Sequence, residues 1–203
     1  RSFLFISNSN RFFMLHAHIE RMLVEGFPKI KYIEMDIADN VLSVQVIEKD
    51  GVYLYCSSDT QECLFADSFG YLFDTVTVEK YGAEVMDKIV FYTQGQVGSV
   101  GGSIAQQHTF DFALEVMSKL QSEDIRVYAV SLQEKEYSFY VTDRRMDGAR
   151  IIMNDEHTAD EYMTKFFTAL RDEPLQSRYY EEQDMLQYVD LRFEDKVYFK
   201  FNE

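Results

Sequence analysis

The sequence predicts an α+β fold with a mainly antiparallel sheet. Short stretches in which apolar and polar residues alternate recur along the chain, as expected of β-strands that bury one face. Two longer segments, which begin near Ser103 and Thr158, instead repeat their apolar residues at helical spacing. Phenylalanine and tyrosine are frequent, with 17 and 14 copies, and such side chains fit a half-buried pleated surface. Together these features are typical of an α+β chain.

The first 49 residues are predicted to form a small unit of one helix and two strands. The helix is expected over 11–25, where apolar residues recur at helical spacing. Strands follow over 30–36 and 41–48, and a polar turn separates them. The next segment, Lys49-Asp50-Gly51, is polar and breaks the strand pattern. The sequence therefore predicts two domains, which span 1–49 and 50–203.

Residues 50–203 are predicted to be mostly strands, with two helices packed on the sheet. The strands are expected over 52–56, 63–66, 71–76, 88–93, 126–134, 137–143 and 148–153. Each helix is predicted to start at a capping box, in which two side chains three residues apart bond each other's backbone N–H groups. The boxes are Ser103–Gln106 and Thr158–Glu161. The inward stripes are Phe110, Ala113, Leu114, Met117 and Leu120 in the first helix, and Ala159, Tyr162, Met163, Phe166 and Leu170 in the second.

Two polar segments of this domain are interpreted as surface structure. The glycine-rich segment 94–102 lies between a strand and a helix but matches neither phosphate-binding fingerprint, which favours a surface loop over a nucleotide site. The segment 179–184 is interpreted as a solvated link before the last two strands.

The C-terminal stretch predicts a β-hairpin. Val189, Leu191 and Phe193 alternate with polar or charged residues, and the same alternation resumes over 197–201 after a charged break at 194–196. We expect a bulged or longer turn, because the break lacks the Asn-Gly or Asp-Gly pair of two-residue loops. Either an earlier strand pairs with the last strand, or that strand lies at a sheet edge, where another chain could dock.

Two cysteines, Cys56 and Cys63, flank a polar six-residue loop between two predicted strands. A hairpin there can bring their Cβ atoms within disulfide reach, and such a bond would indicate an oxidising, extracytoplasmic setting. The alternative is a pair of reduced core cysteines.

Charge and motifs argue against several functions. The formal net charge of −15 leaves no positive track for nucleic acid or for an anionic membrane surface. His16 and His18 lie two residues apart in a helix and do not face each other, and His108 and His157 lack ligand-spaced partners, so no metal site is expected. No nucleophile elbow is present and no run of 18 apolar residues occurs, so we expect neither an enzyme nor a membrane span in this stretch, and no cofactor.

Three stretches resemble the FtsQ/DivIB family of bacterial cell-division proteins. Phe27-Pro-Lys-Ile30 with Val41–Glu48 resembles the end of the family's POTRA domain, of which only this later part is evident. Tyr55–Asp67 with Gly70-Tyr-Leu-Phe73 is similar to the opening of its β domain. The third stretch, Tyr188-Val-Asp-Leu-Arg-Phe193 with Lys196-Val-Tyr-Phe-Lys200, resembles its C-terminal hairpin.

The resemblance implies a non-enzymatic divisome scaffold that binds FtsB- and FtsL-like proteins at the septum. It would be held in the cytoplasmic membrane, with this region outside, by a single transmembrane helix that this sequence does not include. The partner would add a strand to the last strand of the β domain. The residues that the resemblance assigns to this contact are Arg192, Phe193, Lys196, Val197, Tyr198 and Phe199.

Two other functions remain open at this point. A POTRA-containing chaperone of outer-membrane assembly or secretion would show repeated POTRA units or an attached barrel. An extracytoplasmic enzyme would show a deep pocket with perturbed titratable groups.

Overall fold

A computed structural model of the chain describes residues 8–38, 41–76, 85, 87–133, 136–143, 146, 148–180 and 185–202. The fold is α+β, as predicted. It has one small two-stranded sheet and one nine-stranded sheet, with helices packed against both.

The small unit consists of α1 (Asn8–Gly26), β1 (Ile30–Ala38) and β2 (Val41–Glu48), and β1 pairs with β2 in antiparallel fashion. Helix α1 packs on β1, and Ile33 of β1 is buried. Met35 and Val44 are paired in register, so they lie on the same face of the hairpin. Val44 is nevertheless exposed, because α1 covers the β1 side of that face.

The large sheet mixes antiparallel and parallel pairs. Its strands are β3 (Tyr53–Ser57), β4 (Cys63–Ala66), β5 (Leu72–Thr75), β6 (Ile89–Thr93), β7 (Arg126–Gln133), β8 (Glu136–Thr142), β9 (Ala149–Met153), β10 (Leu186–Asp190) and β11 (Tyr198–Phe201). They lie in the order β11-β10-β9-β8-β7-β6-β3-β4-β5. The pairs β10–β9, β7–β6 and β6–β3 are parallel and the others antiparallel.

Three helices accompany this sheet in the described residues: α2 (Gln107–Ser122), α3 (Ala159–Arg171) and α4 (Leu175–Tyr180). All five residues of the predicted α3 stripe are buried. In α2 the predicted stripe is also buried, except that Leu114 is half-buried and Val116 joins the buried set. The main core lies between these helices and one face of the sheet. A smaller cluster of Leu54, Cys56, Phe65 and Phe73 lies on the other face.

The two predicted capping boxes differ in outcome. The box at α3 is confirmed, because the Glu161 amide donates to Thr158 Oγ1 (3.3 Å) and the Thr158 amide donates to Glu161 Oε2 (2.8 Å). The box at α2 is wrong. Gln106 is the N-cap and its side chain makes no capping bond, while Ser103 forms a β-bridge with Tyr71.

The predicted solvated link is also wrong in part. Tyr179 lies in α4, is buried, and donates its hydroxyl to Asp143 Oδ2 (2.7 Å). The helix turns this side chain into the core, which a polar-looking sequence did not indicate. Residues 181–184 lie outside the described residues. Among the helices that are described, none is both long and apolar enough to cross a membrane.

Candidate docking edge at the C-terminal strands

The nine-stranded sheet has two edges, and its own chain covers part of one of them. Beside β5, the Leu72 amide donates to the Gly102 carbonyl (2.9 Å), and the Gly101 amide donates to the Leu72 carbonyl (2.8 Å). Gly101 has φ +96°, a conformation that suits glycine. The glycine-rich loop therefore runs along β5, and its hydrogen bonds occupy the backbone N–H and C=O groups of Leu72.

The disulfide hairpin anchors the same loop. The structure joins Cys56 and Cys63, which face each other on β3 and β4, and such a short crosslink stabilises by about 2–3 kcal/mol through chain entropy. Just beyond it, Ser57 Oγ donates to the Gly95 carbonyl (2.5 Å), and the Gly95 amide donates to Asp59 Oδ2 (2.9 Å).

At the opposite edge, β11 is the outermost strand, and no strand among the described residues pairs with its outer side. It pairs inward with β10, where Val189 faces Phe199 and Asp190 faces Tyr198. Phe201 is buried and Phe199 half-buried, and both pack against the main core. Side chains that alternate with them reach solvent, so β11 is fixed on one face and accessible at its edge.

The loop between β10 and β11 presents an exposed aromatic pair. Phe193 and Tyr198 are 48% and 46% exposed, and their ring centroids are 4.8 Å apart with an edge-to-face orientation. Lys196 is exposed in the same loop. Val197 is half-buried and packs against the main core. Of the six residues predicted for the partner contact, Phe193, Lys196 and Tyr198 are therefore accessible, while Val197 and Phe199 also support the core.

Arg192 is engaged within its own chain. Its Nε and Nη2 donate to the two carboxylate oxygens of Asp190 (3.0 and 2.7 Å), and its Nη1 donates to Glu136 Oε2 (2.8 Å). The hydrogen bond with Asp190 raises the pKa of Arg192. Asp190 is only 7% exposed, so this bidentate pair first serves to neutralise a buried carboxylate.

A row of aromatic and basic side chains crosses the face of the sheet opposite the main core and ends at β11. In register across neighbouring strands lie Tyr140, Arg150, Tyr188 and Lys200. Paired residues point to the same face. Lys200 is exposed and the other three are half-buried. Sequence reasoning missed this row, because its members come from strands whose pairing is not local. Only the alternation within each strand was visible.

The cavities lined by described residues include four surface hollows with volumes of about 320 to 510 Å³. Within the described residues no group of three or more histidine, cysteine or acidic side chains is arranged to hold a metal ion.

No protein-family model matches this chain, and neither does any curated protein. The resemblance to the FtsQ/DivIB family therefore depends on the three stretches of sequence quoted above and stays a prediction.

Proposed function

We propose that this chain is the extracytoplasmic part of an FtsQ-like cell-division scaffold, and that it binds a partner by strand addition to β11. The observation that carries the proposal is the difference between the two sheet edges. The chain's own loop bonds the backbone of β5 at Leu72, whereas β11 is the outermost strand at the other edge. An open edge offers backbone N–H and C=O groups that an extended partner segment can pair with.

The side chains around β11 define the partner's chemistry. An apolar side chain of the partner would pack on Phe193 and Tyr198, which lie side by side at the start of the strand. Lys196 and Lys200 are exposed along the same edge, in a chain whose net charge is −15. Glu194 and Asp195 are exposed in the same loop, so charged groups of both signs lie beside this edge and are available to pair with opposite charges of a partner segment.

The family resemblance supplies the biological setting of the proposal. The partners would be FtsB- and FtsL-like proteins, and the extracytoplasmic segment of the FtsB-like protein would dock on β11. The scaffold would act at the division septum, held in the cytoplasmic membrane by a transmembrane helix that these 203 residues do not include.

The test is an amide-shift titration of this chain with the extracytoplasmic segment of the FtsB-like protein encoded in the same genome. We expect shifts concentrated in β10, β11 and the loop between them. Phe193→Glu should weaken binding about tenfold or more, as expected for an aromatic anchor, and should leave the fold intact because this side chain is half exposed.

Phe69→Glu is the matched control. Phe69 is 75% exposed in the turn that precedes β5, at the opposite edge of the sheet from β11. Phe69→Glu therefore makes the same chemical change at a place remote from the proposed contact. Its affinity should match that of the unmodified chain. Absence of binding, or shifts confined to 94–103 or to the first 49 residues, would remove β11 as the site and with it the proposal.

A further inference from the structure

One lysine of α3 reaches across to the loop that leads into β11. Lys165 Nζ donates to the backbone carbonyls of Leu191 (3.1 Å) and Glu194 (3.2 Å), and also to that of Phe193. An ammonium group has three donors, so each is matched by one carbonyl of this loop. Burial lowers the pKa of Lys165, while the nearby carboxylates of Asp195, Asp190 and Glu194 act to raise it.

The loop is held from its other side as well. The Arg192 amide donates to Asp190 Oδ1 (3.1 Å), and the same carboxylate binds the Arg192 guanidinium. The backbone on both sides of Phe193 is therefore tied down, by α3 on the core side and by Asp190 on the opposite side. The Phe193 carbonyl also accepts from the Lys196 amide (3.4 Å), which closes the turn before β11.

A loop fixed in this way costs less to order when a partner binds. Immobilising a flexible segment at an interface costs free energy that is subtracted from affinity, and a preformed segment avoids much of that cost. The three carbonyls held by Lys165 belong to the part of the loop that carries Phe193. Of the two exposed aromatic residues, Phe193 is the one that lies closer to β10 in the sequence.

We propose that Lys165 is a positioning residue for the docking edge: its ammonium group orders the loop 191–194, so that Phe193 and the start of β11 are presented to the partner in the bound form. This inference rests on the proposed function. In the free protein, too, the loop stays ordered because of this one side chain from a helix packed on the sheet.

The experiment compares Lys165→Met with Lys165→Arg and with Lys119→Met. Methionine keeps the unbranched stem of the side chain and removes the charged group with its donors, whereas arginine keeps a charge and donors. Lys119 lies in α2 and bonds Asp160 (2.5 Å), so Lys119→Met removes the same charge and an ion pair without touching the loop. Two quantities are measured for each variant: amide hydrogen exchange over 192–197 in the free protein, and the Kd for the FtsB-like segment.

In Lys165→Met we expect exchange over 192–197 to rise about tenfold and Kd to rise about tenfold, because one ordered loop is lost. Lys165→Arg should show smaller rises in both quantities than Lys165→Met, because a guanidinium keeps the charge and N–H donors but presents them in a planar fork rather than at one atom. Lys119→Met should change neither quantity, since it leaves the three carbonyl contacts in place.

The two readouts separate the possible failures. Unchanged exchange in Lys165→Met would overturn the ordering role. Faster exchange with unchanged Kd would reduce Lys165 to a structural tie and overturn its role in docking. If the unmodified chain itself fails to bind the segment, the proposed function fails and the docking role with it, while the exchange data still show whether Lys165 orders the loop.

Discussion

Arg192, which the resemblance assigns to a partner contact, makes its observed contacts within its own chain. Asp190 is nearly buried at the end of β10, and an unpaired carboxylate there would be costly. The bidentate contact from Arg192 removes that cost, and Glu136 of β8 holds the third nitrogen. A guanidinium has five N–H donors, so two remain for other acceptors. The resemblance assigned Arg192 to a partner carboxylate. The structure adds that any such contact would be made by a residue already fixed in place.

At the same scale, the capping box of α3 predicts a pH dependence of stability. Hydrogen bonds from the Thr158 backbone and side chain lower the pKa of Glu161 below its usual value of about 4.3. Its ionised form is thus favoured by folding. The stabilisation is fully present above the unfolded-state pKa and is lost as the pH falls through the lower folded-state pKa. Glu161→Gln should therefore be less stable than the unmodified chain at pH 7, and the difference should shrink as the pH falls below the usual glutamate pKa of about 4.3.

The measurement is urea unfolding of both chains from pH 2.5 to pH 7. Glu123→Gln, at an exposed position just after α2, is the control for losing one negative charge from a chain of net charge −15. A difference between Glu161→Gln and the unmodified chain that stays constant across this range would show that the carboxylate does not act through its ionised form.

At the scale of elements, we expect two glycines of the glycine-rich loop to differ in how much stability is lost when each is replaced by alanine. Gly101 has φ +96°, while a Cβ at Gly98 would meet only Leu72 Cδ1 at an ordinary 3.6 Å. Gly101→Ala should cost roughly 1–2 kcal/mol, because an L side chain is strained in that conformation even with open space around it. Gly98→Ala should be near neutral.

Denaturant unfolding checks the energies, and hydrogen exchange checks the mechanism. The Leu72 amide bonds the Gly102 carbonyl, so it should exchange faster in Gly101→Ala and not in Gly98→Ala. Equal behaviour of the two variants would mean that the loop does not depend on this backbone conformation to cover β5.

Most helices and strands could be predicted from the sequence, whereas the order of the strands in the sheet could not. Alternation located both strands of the β10–β11 hairpin but placed the first one too late, because β10 spans Leu186–Asp190 and the predicted strand residues Leu191 and Phe193 lie in the loop after it. The parallel neighbours β9 and β10 are joined through α3 and α4, and no local pattern encodes that pairing. For the same reason the sequence could not predict the contact between Arg192 and Glu136, which are 56 residues apart. It also could not predict the row of side chains that ends at Lys200.

The described hydrophobic core lies almost wholly on the C-terminal side of the predicted boundary near residue 50. Every buried residue of the two hydrophobic clusters lies between Leu54 and Phe201. Among the side chains described in the first unit, Ile33 is the only hydrophobic one that is buried. The contacts across the boundary include ion pairs of Lys29 with Asp74 (3.6 Å) and Lys49 with Asp67 (3.7 Å). Partly exposed pairs of this kind contribute about 0–1 kcal/mol each.

At the scale of the whole molecule, we therefore expect residues 50–203 to fold without the first unit. The shortened chain should keep a dispersed amide spectrum and lose no more than about 2 kcal/mol of unfolding free energy, since the described contacts that it loses are two ion pairs and the contact of the Lys49 ammonium with the Tyr71 ring (4.0 Å). Because β11 and Lys165 both lie within this range, its Kd for the FtsB-like segment should also match that of the full chain. Residues 8–49 alone should give an unfolded spectrum, because an isolated two-stranded hairpin is marginally stable and Ile33 is the only buried hydrophobic side chain among those described in this unit. A collapsed or aggregated 50–203 would instead show that the first unit is needed to complete the fold, and a folded but non-binding 50–203 would place part of the partner contact on α1, β1 or β2.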